Sequence, residues 1–167
     1  MLDTGRPYPV GISSSEFRGW RARVRLGEVD DGNAYHAFGG VAGHAGLFGR
    51  ARDLLVFGRR VLSALHGEGP WRGATVRRFL DVGPDTGQAL GFRAWPVGGC
   101  ATPAYGHTGF PGVAFAVLPS HGAVVALLTN RLHTPTPPPP APFEPHWLRI
   151  LDAVHREGGV GECASSE

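Results

Sequence analysis

The 167-residue sequence predicts an α+β fold in which an antiparallel sheet is flanked by helices, a partial α/β/α sandwich. Three observations carry that expectation. Residues 113–118 and 123–129 are almost wholly apolar runs joined by Pro119-Ser120-His121-Gly122, where proline suits the start of a tight turn and glycine its end. Neither run alternates with polar residues, so both faces of this hairpin should be covered, as in a sheet lying between helices. Residues 51–65 place Leu54, Phe57, Val61 and Leu65 at i, i+3, i+7 and i+11, one apolar stripe of a helix. A last helix beginning at Pro145 carries a second stripe in Trp147, Ile150, Leu151 and Val154.

The remaining elements follow in chain order. Residues 1–16 are rich in Gly, Pro and Ser with little periodicity, and are expected to form an extended opening segment before a single domain spanning 17–157. Arg21, Arg23 and Arg25 alternate with Ala22 and Val24, which at period two puts the arginines on the solvated side of an extended stretch. Residues 39–49 are a glycine-dense loop whose spacing does not match G-x-G-x-x-G, so no dinucleotide site follows. In the 51–65 helix, Asp53 complements the positive end of the dipole and the His66-Gly67 step supplies a stop. Residues 72–79 predict a second, shorter helix. Residues 89–95 predict a strand, with Leu90, Phe92 and Ala94 alternating against Gly91 and Arg93. The proline-rich stretch 134–142 reads as a polyproline II linker, and the tail 158–167 is expected to be disordered.

Composition removes several functions. All 16 basic residues are arginine, so a Walker A loop, a Schiff-base lysine and a serine–lysine pair are excluded. A net charge of +2 is too dispersed for nucleic acid. The longest apolar runs fall far short of the roughly 20 residues that span a bilayer, so no membrane association is expected. The first thirty residues carry no secretory pattern. Cys100 and Cys163, the only cysteines, are too few and too far apart to read as a disulfide scaffold or zinc knuckle; a reduced, cytoplasmic setting is the expectation. None of the eight histidines lies at H-x-x-x-H spacing, and no metal site or cofactor is expected. Ser13, Ser14 and Ser15 lack a glycine elbow, and Asp30 and Asp31 read as turn residues.

Tyr105-Gly106-His107-Thr108-Gly109-Phe110-Pro111-Gly112 concentrates function-type residues just before the apolar hairpin. Glycines beside a hydroxyl and an imidazole let a ligand approach the backbone closely. The plainer alternative is a bend entering a strand, with the imidazole hydrogen-bonded locally. His107-Thr108-Gly109, the apolar strand, the Pro119 turn, a second strand ending Leu127-Leu128-Thr129-Asn130-Arg131, a proline-bearing loop and a terminal helix occur in that order. Upstream stand Gly27-Glu28-Val29-Asp30-Asp31-Gly32-Asn33-Ala34 and the Gly39 to Phe48 loop, followed by the helix with Asp53-Leu54. This series resembles the carboxyl-side portion of the serine β-lactamase and penicillin-binding-protein superfamily, nearest its class C-type hydrolases and esterases.

The resemblance implies a β-lactamase/transpeptidase-like fold and a covalent acyl-transfer site built from three motifs: S-x-x-K with the nucleophile, Y-x-N or a variant with a base, and a strand-borne K-T-G or H-T-G. His107, Thr108 and Gly109 match the third. They are implied to line the pocket, with the Phe110 N–H as one of two oxyanion donors and His44 near the cleft rim. The first two motifs are absent: there is no lysine, and Tyr8, Tyr35 and Tyr105 head Tyr-Pro-Val, Tyr-His-Ala and Tyr-Gly-His. In the family they lie N-terminal to the segments matched here, so the chain resembles a fragment of a longer enzyme. The implied substrate is a small ester, amide or β-lactam-like molecule, acted on when a complementary N-terminal half completes the site. The alternative function is a non-catalytic module that binds a small ligand or protein through the His107 loop.

Overall fold

The computed structural model describes residues 27–85, 87–131 and 143–158. They fall into two compact units, one holding 27–50 and 129–131, the other 51–128 and 143–158. The expected opening segment 1–16, the proline-rich linker 134–142 and most of the tail 158–167 lie outside the described residues.

In the first unit a seven-residue helix, α1 (Gly32–Phe38), begins where Asp31 leaves extended backbone and accepts the Ala34 N–H at 2.7 Å. It ends at Gly39 in the left-handed region, φ 63°. Periodicity could not reveal this helix, because Ala34 is its only buried residue. It rests on its two caps.

The second unit contains α2 (Ala51–Leu65), α3 (Gly73–Leu80), four strands and α4 (Glu144–Glu157). The strands are β1 (Arg93–Trp95), β2 (Ala104–Gly109), β3 (Val113–Leu118) and β4 (Ala123–Leu128), an antiparallel meander in the order β1-β2-β3-β4. Helix α2 has the expected bounds, and Gly67 ends it at φ 82°. Of the expected stripe, Val61 is buried and Leu54 and Leu65 are half-buried against the core, while Phe57 lies at its margin, stacked on Phe115 and edge-on against Trp71; Gly58, Leu62 and Ala64 widen the buried face.

The expected strand 89–95 is shorter than its alternation suggests. Only Arg93–Trp95 is strand, because the chain reverses through Leu90-Gly91: the Ala89 N–H bonds the Phe92 carbonyl and the Ala94 N–H bonds the Gly87 carbonyl, both at 2.8 Å. The Gln88 side chain donates to the Ala89 and Phe92 carbonyls and closes the same turn. Leu90, left at the tip, is 66% exposed.

Both faces of the sheet are covered, as the unalternating hairpin requires. At period two, Tyr105, Phe115 and Val117 point to one side and pack with Val61, Leu62 and Leu80 of α2 and α3. Ala104, Ala114, Ala116 and Leu118 point to the other and pack with Trp147 and Leu151 of α4. The α4 end is also fixed by Glu144, whose Oε1 accepts from Arg93 Nη1 at 3.1 Å and Trp95 Nε1 at 3.0 Å. On the opposite face, Gly58 lets α2 close on the hairpin: a Cβ there would fall 2.4 Å from Val124 Cγ1 and 3.0 Å from Phe115 Cε2. No described helix is long and apolar enough to cross a membrane.

Two substitutions test this packing. Gly58→Ala gains about 1 kcal/mol of helix propensity but meets β-branched Val124, and overpacking costs about 1–3 kcal/mol. A net loss of roughly 1 kcal/mol is expected, read as a lower urea midpoint at unchanged slope; a raised midpoint would show that the helix has room to spare. Trp147, fully buried, should cost about 3–5 kcal/mol on replacement by alanine.

Candidate functional site

His107, Thr108 and Gly109 form the last three residues of β2, an interior strand, and are not the bend or loop that the sequence left open. They pair with Phe115, Ala114 and Val113 of β3. Glycine is required just before them: a Cβ on Gly106 would lie against the Phe115 carbonyl, well inside van der Waals contact. Without it the two strands could not keep this register. Beyond Gly109 the chain turns through Phe110-Pro111 to Gly112, whose N–H returns to the Gly109 carbonyl at 3.0 Å with φ 97°.

Burial falls along the strand, from Ala104, Tyr105 and Gly106 inside to an exposed His107, half-buried Thr108 and Gly109, and an exposed Phe110. The triplet is thus a rigid platform with a wet end. His107 donates Nδ1–H to the Thr108 carbonyl at 2.7 Å. A carbonyl can only accept, so the bond places a proton on Nδ1, and in the neutral ring Nε2 is then the acceptor. Tyr105, two residues earlier, is no substitute for a missing base, since burial, and secondarily Asp81, push its phenol up and keep it neutral. The described serines, Ser63 on α2 and Ser120 in the β3–β4 turn, have no hydrogen-bonded base among the described residues. Neither prominent cavity of the second unit involves the triplet. One, of about 480 Å³, is apolar and lined by Phe57, Val61, Trp71, Val76, Phe79 and Phe92; the other lies around Asp81 to Leu90.

In the first unit, His44 Nε2 sits 3.1 Å from Asp31 Oδ1 with its ring edge-on to Phe38. Asp31 is therefore both the cap of α1 and the partner of His44, a firmer role than a turn residue. Its carboxyl is held below its ordinary value by the Ala34 N–H first and by His44 next.

Sequence reasoning missed one grouping. Cys100 in the β1–β2 connection, His121 in the β3–β4 turn and His155 on α4 converge, each offering a ligand atom within 4.8 Å of the others. Cys100 is moreover disulfide-bonded, against the expectation of a reduced thiol. Spacing rules address local pairs, whereas these residues are 21 and 34 positions apart and meet only because one end of the sheet gathers them.

The Beta-lactamase family model matches residues 7–144. Among curated proteins, the chain is 33% identical to the "N-acetylmuramyl-L-alanine amidase" of Bacillus subtilis (strain 168), over 72% of this chain and 30% of that protein. It is 32% identical to the "Putative D-alanyl-D-alanine carboxypeptidase" of Escherichia coli (strain K12), over 78% of this chain and 33% of that one. A protein of the same name from Salmonella typhi is 34% identical over 71% and 30%. The chain thus spans about a third of the length of these relatives. No solved structure matches it.

The Asp31 cap gives a pH prediction. A carboxyl lowered in the folded state adds stability above its ordinary value, 3.8, and loses it as pH falls through the lower folded value. Protection of the Ala34 amide against hydrogen exchange should therefore hold from neutrality to about pH 4 and collapse below it. Asp31→Ala should lack that protection at every pH; an unchanged profile would mean that α1 does not depend on this cap.

Proposed function

The chain belongs to the β-lactamase family, and from that premise we propose that it is the carboxyl-side portion of a serine hydrolase, supplying one wall of an acyl-transfer site. The observation that carries the proposal is His107-Thr108-Gly109 at the exposed end of an interior strand, followed by the exposed Phe110. In this reading Thr108 and Gly109 hold the acyl or carboxylate end of a small ester, amide or β-lactam-like substrate. The Phe110 N–H is one of two oxyanion donors; such a donor is worth about 2.7–4 kcal/mol of barrier. His107, its ring fixed through Nδ1, presents Nε2 toward the substrate side.

This wall cannot attack a carbonyl. The covalent step needs a hydroxyl and a proton acceptor within hydrogen-bond reach, and the chain contains neither S-x-x-K nor a Y-x-N-type motif. The complete reaction, hydrolysis or transfer through an acyl-serine, is assigned to an assembly in which an N-terminal portion supplies both. Alone, the chain is inactive toward esters and β-lactams. The cytoplasmic setting expected from cysteine usage is not supported by the disulfide at Cys100, since cytosolic thiols are ordinarily kept reduced.

Activity-based labelling tests the proposal. Purified chain incubated with a fluorophosphonate or a labelled penicillin should show no mass increment by intact-protein mass spectrometry. Stoichiometric modification of any serine would overturn it. Saturable, non-covalent binding of a small ligand that is lost on His107→Ala, without labelling, would favour the binding-module alternative.

A further inference from the structure

The second end of the sheet carries chemistry that the acyl-transfer reading does not use. Residues of β2 run from Ala104, beside the end of β3, to Gly109, beside its start. The β1–β2 connection and the β3–β4 turn therefore meet at the end opposite Thr108 and Gly109, roughly 17 Å away at about 3.3 Å per residue. There His121 Nε2 lies 2.9 Å from His155 Nδ1, and Cys100 Sγ lies 3.7 Å from the same His155 nitrogen. All three side chains are half-buried.

We propose that Cys100, His121 and His155 form a binding site for a zinc-type divalent ion once the Cys100 disulfide is reduced. The geometry is near what such an ion demands. With bonds of about 2.3 Å to sulfur and 2.0–2.1 Å to nitrogen, tetrahedral coordination sets ligand-to-ligand separations of roughly 3.3–3.6 Å. The observed 2.9 and 3.7 Å bracket that range. One thiolate and two imidazoles suit zinc or cobalt(II) better than hard cations such as magnesium, and leave a fourth position for water.

One further feature favours the site. The His155 ring is seated against Gly98, where φ is 53° and a Cβ would collide with the Nε2, Cδ2 and Cε1 atoms. Only glycine there admits the ring in the orientation that turns Nδ1 toward Cys100 and His121.

The chemistry balances as two steps. A dithiol reductant passes two electrons and two protons to the disulfide, whose S–S bond breaks to give two thiols while the reductant closes its own disulfide. The metal then displaces the Cys100 thiol proton, which is released to solvent, and takes the two imidazole lone pairs.

The test uses the full chain with Cys163→Ser, so that Cys100 is its sole cysteine, kept as a thiol by a phosphine and titrated with cobalt(II). One equivalent should produce the visible bands of a tetrahedral site together with a sulfur-to-cobalt charge-transfer band, and zinc should bleach both. His121→Ala and His155→Ala should each weaken binding more than about tenfold, and Gly98→Ala, which removes no ligand, by about ten- to hundredfold. Should His155→Ala lose its helical circular dichroism, His121→Gln on the turn supplies the comparison. The wild-type chain without reductant should show no charge-transfer band. Absence of binding, binding without that band, or binding indifferent to the histidine variants would overturn the proposal.

Discussion

Strand β3 is the constraint on which the second unit depends, because it buries side chains on both faces. Phe115 and Val117 need α2 and α3 on one side, while Ala114, Ala116 and Leu118 need α4 on the other. An antiparallel strand with one wet face could tolerate slippage or a missing helix. A doubly covered one cannot, since a one-residue shift would carry each side chain into the layer shaped for its neighbour. The small residues make the two layers unequal in depth. Alanines face α4, where Trp147 fills the space they leave, and Phe115 faces α2, where Gly58 makes room. The close approach of β2 to β3 at Gly106 belongs to the same constraint, as it brings the His107 triplet into fixed register with the central strand.

Rigid strands make good supports for chemistry that happens at their ends. The His107-Thr108-Gly109 segment inherits its position from five residue pairs with β3, and only its last residues reach solvent. A wall of this kind is pre-organised and adds little by itself, because electrostatic stabilisation acts on charge that a nucleophile must first create. The opposite sheet end gathers a sulfur and an imidazole from two connections and a second imidazole from α4.

Legibility differed among elements for identifiable reasons. Helix α2 and the hairpin were plain in the sequence because long apolar patterns and a proline–glycine turn are local signals, and their bounds agree with the structure to within a residue. Helix α4 was equally visible, Trp147 and Leu151 being its buried residues as expected. Helix α1 was invisible, since it is held by the Asp31 and Gly39 caps and not by a stripe. The 89–95 alternation misled because Leu90 and Gly91 form the tip of a reversal whose backbone bonds are satisfied within the turn.

The sequence by itself determined the family, the layered class, the two amphipathic helices that cover the sheet, and the absence of a lysine-dependent nucleophile, because each is written in residue identity or short-range pattern. Tertiary structure alone decided that Cys100, His121 and His155 meet and that Asp31 both caps a helix and holds His44. The first depends on which strand ends share a side of the sheet and the second on a contact thirteen residues apart, and neither leaves a mark on local spacing.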